Sequence, residues 1–200
     1  MDDIRDAQRK VLVERQRAGW PTNDLRVGVL AEDPYLGYVI RDAVRFSDGK
    51  AGLYNRVVAC GGIAVMPILG DSIALIRIFR HAARRWFLEA PQGMLTPGID
   101  PIDEARRELI EEMGAEVAEI IPLGRVYTST GLTSENLNAF AAKINAIGEP
   151  QRSEGIESIR VIEPAEIDRL VLDGTICDGP TMSLILHARL RGLLQPSSPG

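Results

Sequence analysis

Cysteine and histidine are the scarcest side chains with metal-binding or redox chemistry in this chain of 200 residues, which contains two of each. Cys60 and Cys177 are far apart and belong to no paired motif, which predicts two reduced thiols rather than a disulfide framework. His81 and His187 form no zinc-binding pattern with them. Any metal site is therefore expected to use oxygen ligands.

Long apolar runs and an excess of positive charge are also missing. No stretch approaches the roughly 18 consecutive apolar residues of a membrane-spanning helix. The formal net charge of -5 argues against a nucleic-acid binder. The N-terminal stretch MDDIRDAQRK is polar and does not resemble a signal peptide. Together these absences predict a cytoplasmic protein with no membrane or nucleic-acid partner.

The clearest local pattern is a helix near the middle of the chain, preceded by a loop rich in glycine and proline. Asp100 is expected to cap this helix, Pro101 suits its first position, and Gly114 suits the left-handed residue that ends it. At about 100° per residue, the apolar positions share one face, namely Ile102, Ala105, Leu109, Ile110 and Met113. The opposite face carries Glu104, Arg107, Glu108, Glu111 and Glu112.

This acidic face has two interpretations. A solvated amphipathic helix is the ordinary one, because charged side chains are usually exposed. However, glutamates four residues apart, such as Glu104 and Glu108, repel one another, and a bound cation would relieve that repulsion. Carboxylates together with carbonyl oxygens of the preceding loop are the ligands of a hard divalent ion such as magnesium.

The spacing of these residues resembles the signature of the Nudix hydrolases. That signature places a Gly ahead of a Glu and of the run Arg-Glu-apolar-x-Glu-Glu-x-Gly-apolar, all at fixed spacing. Gly93 and every position from Arg107 to Ala115 fit it. Ile99 stands where the family usually has its first Glu, which removes one acidic group from the expected site.

The resemblance implies a metal-dependent hydrolase of a diphosphate that is linked to another group. By position, Glu108 and Glu112 would hold magnesium, or manganese in its place, with the carbonyl of Gln92 as a further ligand. Glu111 would be another ligand or the base. Arg107 would orient the glutamates.

Further motifs resemble one branch of that family, the ADP-ribose pyrophosphatases and nucleotide-sugar hydrolases. They are Arg77-x-Phe79-Arg80, Glu89-x-Pro91-x-Gly93 and the loop that ends in Glu135. One or both of Arg77 and Arg80 would bind the substrate diphosphate, because a guanidinium pairs bidentately with phosphate oxygens, and Arg80 could instead hold a terminal ribose. The next two roles follow from the resemblance. Glu89 would bind metal or substrate, and Glu135 would be the general base. Exposed strand arginines, an edge-strand acid and a solvated loop acid are the alternatives. The aromatic candidates to stack on the base are Trp20, Tyr38 and Tyr54.

The expected fold is α/β, an α/β/α sandwich with a mixed central sheet, plus a small N-terminal antiparallel sheet. The sandwich is implied by the resemblance. It is compatible with the order of elements predicted from the sequence, which is an apolar hairpin, a helix, strands and C-terminal helices. The N-terminal sheet is predicted within residues 1–57, where alternating segments flank a Ser47-Asp48-Gly49 turn, and the hydrolase domain within 58–200. The family branch further implies a homodimer in which the N-terminal sheet mediates dimerisation and forms part of the substrate pocket.

Several later elements are also predicted from apolar periodicity. Two strands are expected, over residues 117–123 and 125–128, and a last helix over 181–194. The buried stripe of that helix is expected to be Met182, Ile185, Leu186, Leu190 and Leu193.

The predicted reaction is hydrolysis of a nucleoside diphosphate derivative, with ADP-ribose, split to AMP and ribose 5-phosphate, as the first substrate. GDP-mannose, another nucleotide sugar or a dinucleoside polyphosphate are the alternatives, because the substrate pocket lies outside the signature. An alternative of another class is a non-catalytic nucleotide-binding module that keeps the fold, and Ile99 is the feature in its favour.

Overall fold

The computed structural model describes residues 27–34, 37–150 and 152–195, except for the side chain of Glu154. Residues 1–26, which begin the predicted N-terminal sheet and include the stacking candidate Trp20, lie outside this part. The described chain forms two compact units. One contains the residues up to Cys60 together with Ser129–Glu135, and the other contains Gly61–Thr128 and the chain from Asn136 onward.

The first unit is a three-stranded antiparallel sheet, which confirms the small N-terminal sheet. Its strands follow chain order, β1 (Gly28–Asp33), β2 (Gly37–Arg45) and β3 (Ala51–Val58). The segment Ser129–Glu135 contacts β3, because the Val57 amide donates to the Leu132 carbonyl at 2.8 Å and the Tyr54 hydroxyl donates to the Gly131 carbonyl at 2.6 Å. A segment distant in sequence therefore completes this unit.

The second unit is built on a mixed sheet of seven strands. They are β4 (Gly62–Leu69), β5 (Ser72–Arg80), β6 (Arg85–Glu89), β7 (Gln92–Met94), β8 (Glu116–Tyr127), β9 (Asn136–Ala146) and β10 (Ile156–Ile162). The main order is β10-β5-β4-β9-β8, with β6 beside β5 and β7 beside β4. Strands β4 and β9 are parallel and the other pairs are antiparallel. The two strands predicted over 117–128 are one strand, β8, whose register shifts between Pro122 and Gly124, where proline has no amide to donate.

Strand β4 explains why its sequence is apolar at almost every position. Ile63 and Val65 belong to a core cluster with helix α1 (Pro101–Met113). Ala64 and Met66 belong to a second cluster with helices α2 (Pro164–Leu172) and α3 (Gly179–Leu190). The strand is buried on both faces, which confirms the predicted α/β/α sandwich. Among the described residues, no helix is long and apolar enough to cross a membrane.

Helix α1 begins and ends where its sequence predicts. The Asp100 carboxylate accepts from the Ile102 amide at 2.8 Å, and Gly114 has a φ of 58°. Its buried face differs from the prediction, however. Ile102 and Ile110 are 39% and 51% exposed, whereas three glutamates are buried beside Ala105, Leu109 and Met113, namely Glu104, Glu108 and Glu112.

The predicted stripe of the last helix is also partly wrong. The residues of α3 that are buried are Thr181, Leu184, Ile185 and Ala188. Leu186 and Leu190 are 55% and 77% exposed. The prediction counted large apolar side chains, whereas the helix uses Thr181 and Ala188, whose small side chains suit close packing.

Candidate active site

The centre of the site is the row of glutamates on α1. Glu104, Glu108 and Glu112 are four residues apart, so their side chains line one side of the helix, and they are 1%, 8% and 3% exposed. Gly93 of strand β7 lies against Glu108, the middle member of this row. A Cβ added to Gly93 would lie 2.4 Å from Glu108 Cδ, so a larger residue there would displace either that carboxylate or the strand. The small residue Gly93 on β7 therefore allows the long side chain of Glu108 on α1 to pack against the strand.

Arg107 gathers the carboxylates of the row. Its Nη2 donates to Glu104 Oε1 and to Glu108 Oε1, each at 2.6 Å, and its Nη1 donates to Glu111. The hydrogen bond from Arg107 holds the pKa of Glu104 below its usual range. One guanidinium contacts three carboxylates, and Glu112 adds a fourth acid to the same helix. The formal charge of these five side chains together is therefore negative.

A buried acid with a raised pKa lies on the same face of the sheet. Glu89 is 3% exposed, and burial raises its pKa, although its hydrogen bond with Arg80 opposes the shift. Glu89 is opposite Ile76 in the β5–β6 register, and Ile76 belongs to the core cluster with α1. The Glu89 carboxylate accepts from Arg80 Nε at 2.8 Å. The structure therefore places Glu89 and Arg80, both predicted site residues, on the face of the sheet that packs on α1.

The structure does not bring Arg77 to this face. Along β5, Arg77 alternates with Ile76 and Ile78, both of which pack with α1, so its side chain points to the other side of the sheet. There it pairs with Glu157 and lies 4.6 Å from the centre of the Trp86 ring. It lines a cleft of 280 Å³ with other basic and aromatic residues, including Arg85, Trp86 and Arg160.

The other two predicted residues, Gln92 and Glu135, each have hydrogen-bond partners of their own. The Gln92 side chain donates to Asp178 Oδ2 at 3.0 Å, and the same carboxylate oxygen accepts from the Thr181 amide at 2.9 Å. Asp178 was not singled out from the sequence as a site residue, although its position ahead of Gly179-Pro180 marks it as a helix cap. Glu135 lies in the first unit, where its amide donates to Thr133 Oγ1 at 3.0 Å.

The match to known families decides what this arrangement is. The Nudix domain family matches residues 61–183, which is more than half of the chain. The chain belongs to the Nudix family. The predicted family is confirmed, and so is the predicted class of enzyme, a Nudix diphosphatase.

Individual relatives agree with the Nudix assignment. The chain is 34% identical to a GDP-mannose pyrophosphatase of Cronobacter sakazakii over 181 residues, which is 83% of this chain and 94% of that protein. It is 26% identical to an ADP-ribose pyrophosphatase of Haemophilus influenzae over 152 residues, 67% of this chain and 70% of that protein. A crystal structure of an ADP compounds hydrolase has the same fold, with a TM-score of 0.68 and 22% identity over 84% of this chain and 94% of that one.

Nudix enzymes typically depend on a divalent metal ion, and the residues of this site fit such an ion. The donors on α1 are carboxylates, the ligand type that hard divalent cations prefer. Glu104 Oε2 is buried and has no hydrogen-bond partner in the described part of the chain, which is a costly state that a cation nearby would relieve. Within the described residues, no three His, Cys, Asp or Glu side chains are already arranged around one metal position.

Proposed function

We propose that this Nudix enzyme hydrolyses the diphosphate linkage of a nucleotide sugar, with GDP-mannose as its first substrate. The products would be GMP and mannose 1-phosphate. The observation that carries the proposal is the buried row of glutamates on α1, in which Glu108 packs against Gly93 of β7, because a polyanionic substrate needs a cation between it and these carboxylates. The substrate is proposed from the 34% identical relative, which is named a GDP-mannose pyrophosphatase.

ADP-ribose is the second candidate substrate. The motifs around Arg80 and Glu89 resemble those of the ADP-ribose pyrophosphatases, and the 26% identical relative carries that name. The higher identity and greater coverage of the GDP-mannose pyrophosphatase favour GDP-mannose as the first compound to test. Both substrates share the diphosphate, so the proposed chemistry of the site is the same.

The proposed metal ligands are Glu108 and Glu112, with Glu111 and the Gln92 carbonyl as further ligands. When bound, magnesium or manganese would neutralise phosphate charge and lower the pKa of a water molecule. Arg107 would keep the carboxylates oriented toward that position. Its hydrogen bonds with Glu104, Glu108 and Glu111 support this role.

Two further residues have proposed roles toward the substrate. Arg80, whose side chain is 38% exposed, would bind a phosphate oxygen. Glu89 would hold Arg80 in place from its buried position. Glu135 remains our candidate for the general base that takes the proton of the attacking water.

The homodimer and the contribution of the first unit to the substrate pocket also remain predictions.

We expect the purified protein with Mg²⁺ to convert GDP-mannose to GMP and mannose 1-phosphate. The experiment compares GDP-mannose, ADP-ribose, NADH and a diadenosine polyphosphate at equal concentration and identifies the products by ion-exchange chromatography. The highest kcat/KM is expected for GDP-mannose. Preferential conversion of ADP-ribose to AMP and ribose 5-phosphate would select the second candidate, and hydrolysis of only the dinucleoside compound would contradict the proposed substrate class.

A further inference from the structure

Arg107 contacts one acid that is not a proposed metal ligand, namely Glu104. Glu104 is not at the position of the first Glu in the family signature. Ile99, where the family signature has its first Glu, is 46% exposed and uncharged. Glu104 lies five residues later in the first turns of α1 and is 1% exposed. An ordinary acid on a solvated helix face would not be buried to this extent.

Glu104 accepts hydrogen bonds from two parts of the site. Its Oε1 accepts from Thr96 Oγ1, in the loop after β7, at 3.0 Å. The same oxygen accepts from Arg107 Nη2 at 2.6 Å. These two donors come from the loop before the helix and from the next turn of the helix. Glu104 therefore ties the loop to α1 and sets the position of the guanidinium.

The same guanidinium nitrogen also contacts a proposed metal ligand. Arg107 Nη2 lies 2.6 Å from Glu108 Oε1 as well as from Glu104 Oε1. A carboxylate that neutralises Arg107 weakens the hold of the guanidinium on Glu108, because the positive charge is shared. Without Glu104, the charge of Arg107 would be balanced mainly by Glu108 and Glu111, which are the residues that a cation needs.

We propose that Glu104 is a positioning residue that stands in for the acid missing at Ile99. This inference rests on the proposed function. By holding Arg107, Glu104 frees Glu108 for a divalent cation, and by binding Thr96 it keeps the loop against the helix. Its role is to raise the affinity for the cation rather than to contact the substrate.

The test is the variant Glu104→Gln, which keeps the size of the side chain and removes its charge. We expect the Mg²⁺ concentration for half-maximal activity to rise about tenfold, as for other residues that orient metal ligands. The KM for GDP-mannose at saturating Mg²⁺ should not change. The matched control is Asp103→Asn, which removes the same charge from an exposed neighbour on α1 and should leave the Mg²⁺ dependence unchanged.

A second readout does not require turnover. Mn²⁺ binding, measured by the loss of the free-ion electron paramagnetic resonance signal, should weaken in Glu104→Gln and not in Asp103→Asn. The double variant Ile99→Glu/Glu104→Gln returns an acid to the signature position and should recover Mn²⁺ affinity. Failure to recover it would show that Glu104 does not stand in for that acid. Thr96→Val, which removes only the hydroxyl that donates to Glu104, should also weaken Mn²⁺ binding. This variant replaces Glu104→Gln in the test if Glu104→Gln does not fold.

The possible outcomes separate this inference from the proposed function. If the wild-type protein binds Mn²⁺ but hydrolyses no nucleotide sugar, the proposed function is wrong and the Mn²⁺ comparison still decides the role of Glu104. If folded Glu104→Gln matches Asp103→Asn in both readouts, the role of Glu104 is wrong. If the wild-type protein binds no Mn²⁺, both are wrong.

Discussion

Replacement of Glu108 by glutamine is expected to lower kcat about 100-fold or more, the size of effect seen when one preorganised electrostatic group is removed. Glu108 is buried against Gly93 and is our first proposed metal ligand. The amide keeps the shape of the side chain but carries no negative charge for the cation. The fold should remain intact, because the change reduces repulsion within a crowded set of carboxylates. Steady-state kinetics at saturating Mg²⁺ and a thermal unfolding curve measure the two effects separately.

The control for Glu108→Gln is the same substitution at an exposed site. Glu119 pairs with Lys143 on β8 and β9, and its side chain is 54% exposed, so Glu119→Gln should leave kcat and the unfolding temperature unchanged. If Glu108→Gln keeps wild-type kcat at saturating Mg²⁺, Glu108 is not a ligand and the proposed metal site is wrong.

The variant Gly93→Ala is expected to lose both activity and stability. The added Cβ would lie 2.4 Å from Glu108 Cδ and 2.5 Å from Glu108 Oε1, which is far inside van der Waals contact. Either β7 or the carboxylate must move, and overpacking of this kind costs about 1–3 kcal/mol of unfolding free energy. A displacement of a catalytic group by about 1 Å is enough to lower the rate about 100-fold. Chemical denaturation and kcat measurements test the two consequences.

Gly179→Ala is the matched control for Gly93→Ala. Gly179 is the first residue of α3, and among the described residues outside its own helix turn a Cβ there would meet no atom within 4 Å. Alanine should therefore leave activity unchanged and stabilise the fold by up to about 1 kcal/mol through a more restricted unfolded chain. If Gly93→Ala behaves like Gly179→Ala, the close packing of Glu108 on β7 is not a feature of the working enzyme.

The sequence was sufficient for the parts of the fold that depend on local signals. The ends of α1 follow from a capping aspartate, a proline at the first position and a left-handed glycine, and all three act within one turn of the helix. The fixed spacing of Gly93 and Arg107–Ala115 predicted the family and the sandwich. Both signals can be read from the local sequence without knowledge of the rest of the structure.

Features that depend on distant segments were not predictable in the same way. The periodicity of α1 assigned its acids to the side opposite the core, but Glu104, Glu108 and Glu112 are buried. Glu108 packs against Gly93 of β7, and Glu104 accepts from Thr96 in the loop after that strand. The segment Ser129–Glu135 joins the first unit through hydrogen bonds to β3, more than seventy residues earlier in the chain, as the separation of 77 residues between Tyr54 and Gly131 shows. Neither contact leaves a pattern in the local sequence.

The structure shows contacts of several predicted site residues, whose roles remain predictions. Arg107 contacts Glu108 and Glu111 among the predicted ligands, and Arg80 pairs with Glu89. Side chains alternate along β5, so Arg77 points away from the face that packs on α1. This could be predicted only with knowledge of which β5 residues pack on α1. Glu104 was visible as part of the acidic face, but only its contacts with Thr96 and Arg107 distinguish it from a surface acid.

The buried carboxylates of α1 are proposed to hold a divalent cation that hydrolysis requires. The most direct measurement is the initial rate of hydrolysis of GDP-mannose in Mg²⁺, after addition of excess EDTA, and after Mg²⁺ is restored. We expect the rate to fall to the uncatalysed level in EDTA and to recover fully with Mg²⁺. A rate that is unchanged by EDTA would contradict the claim.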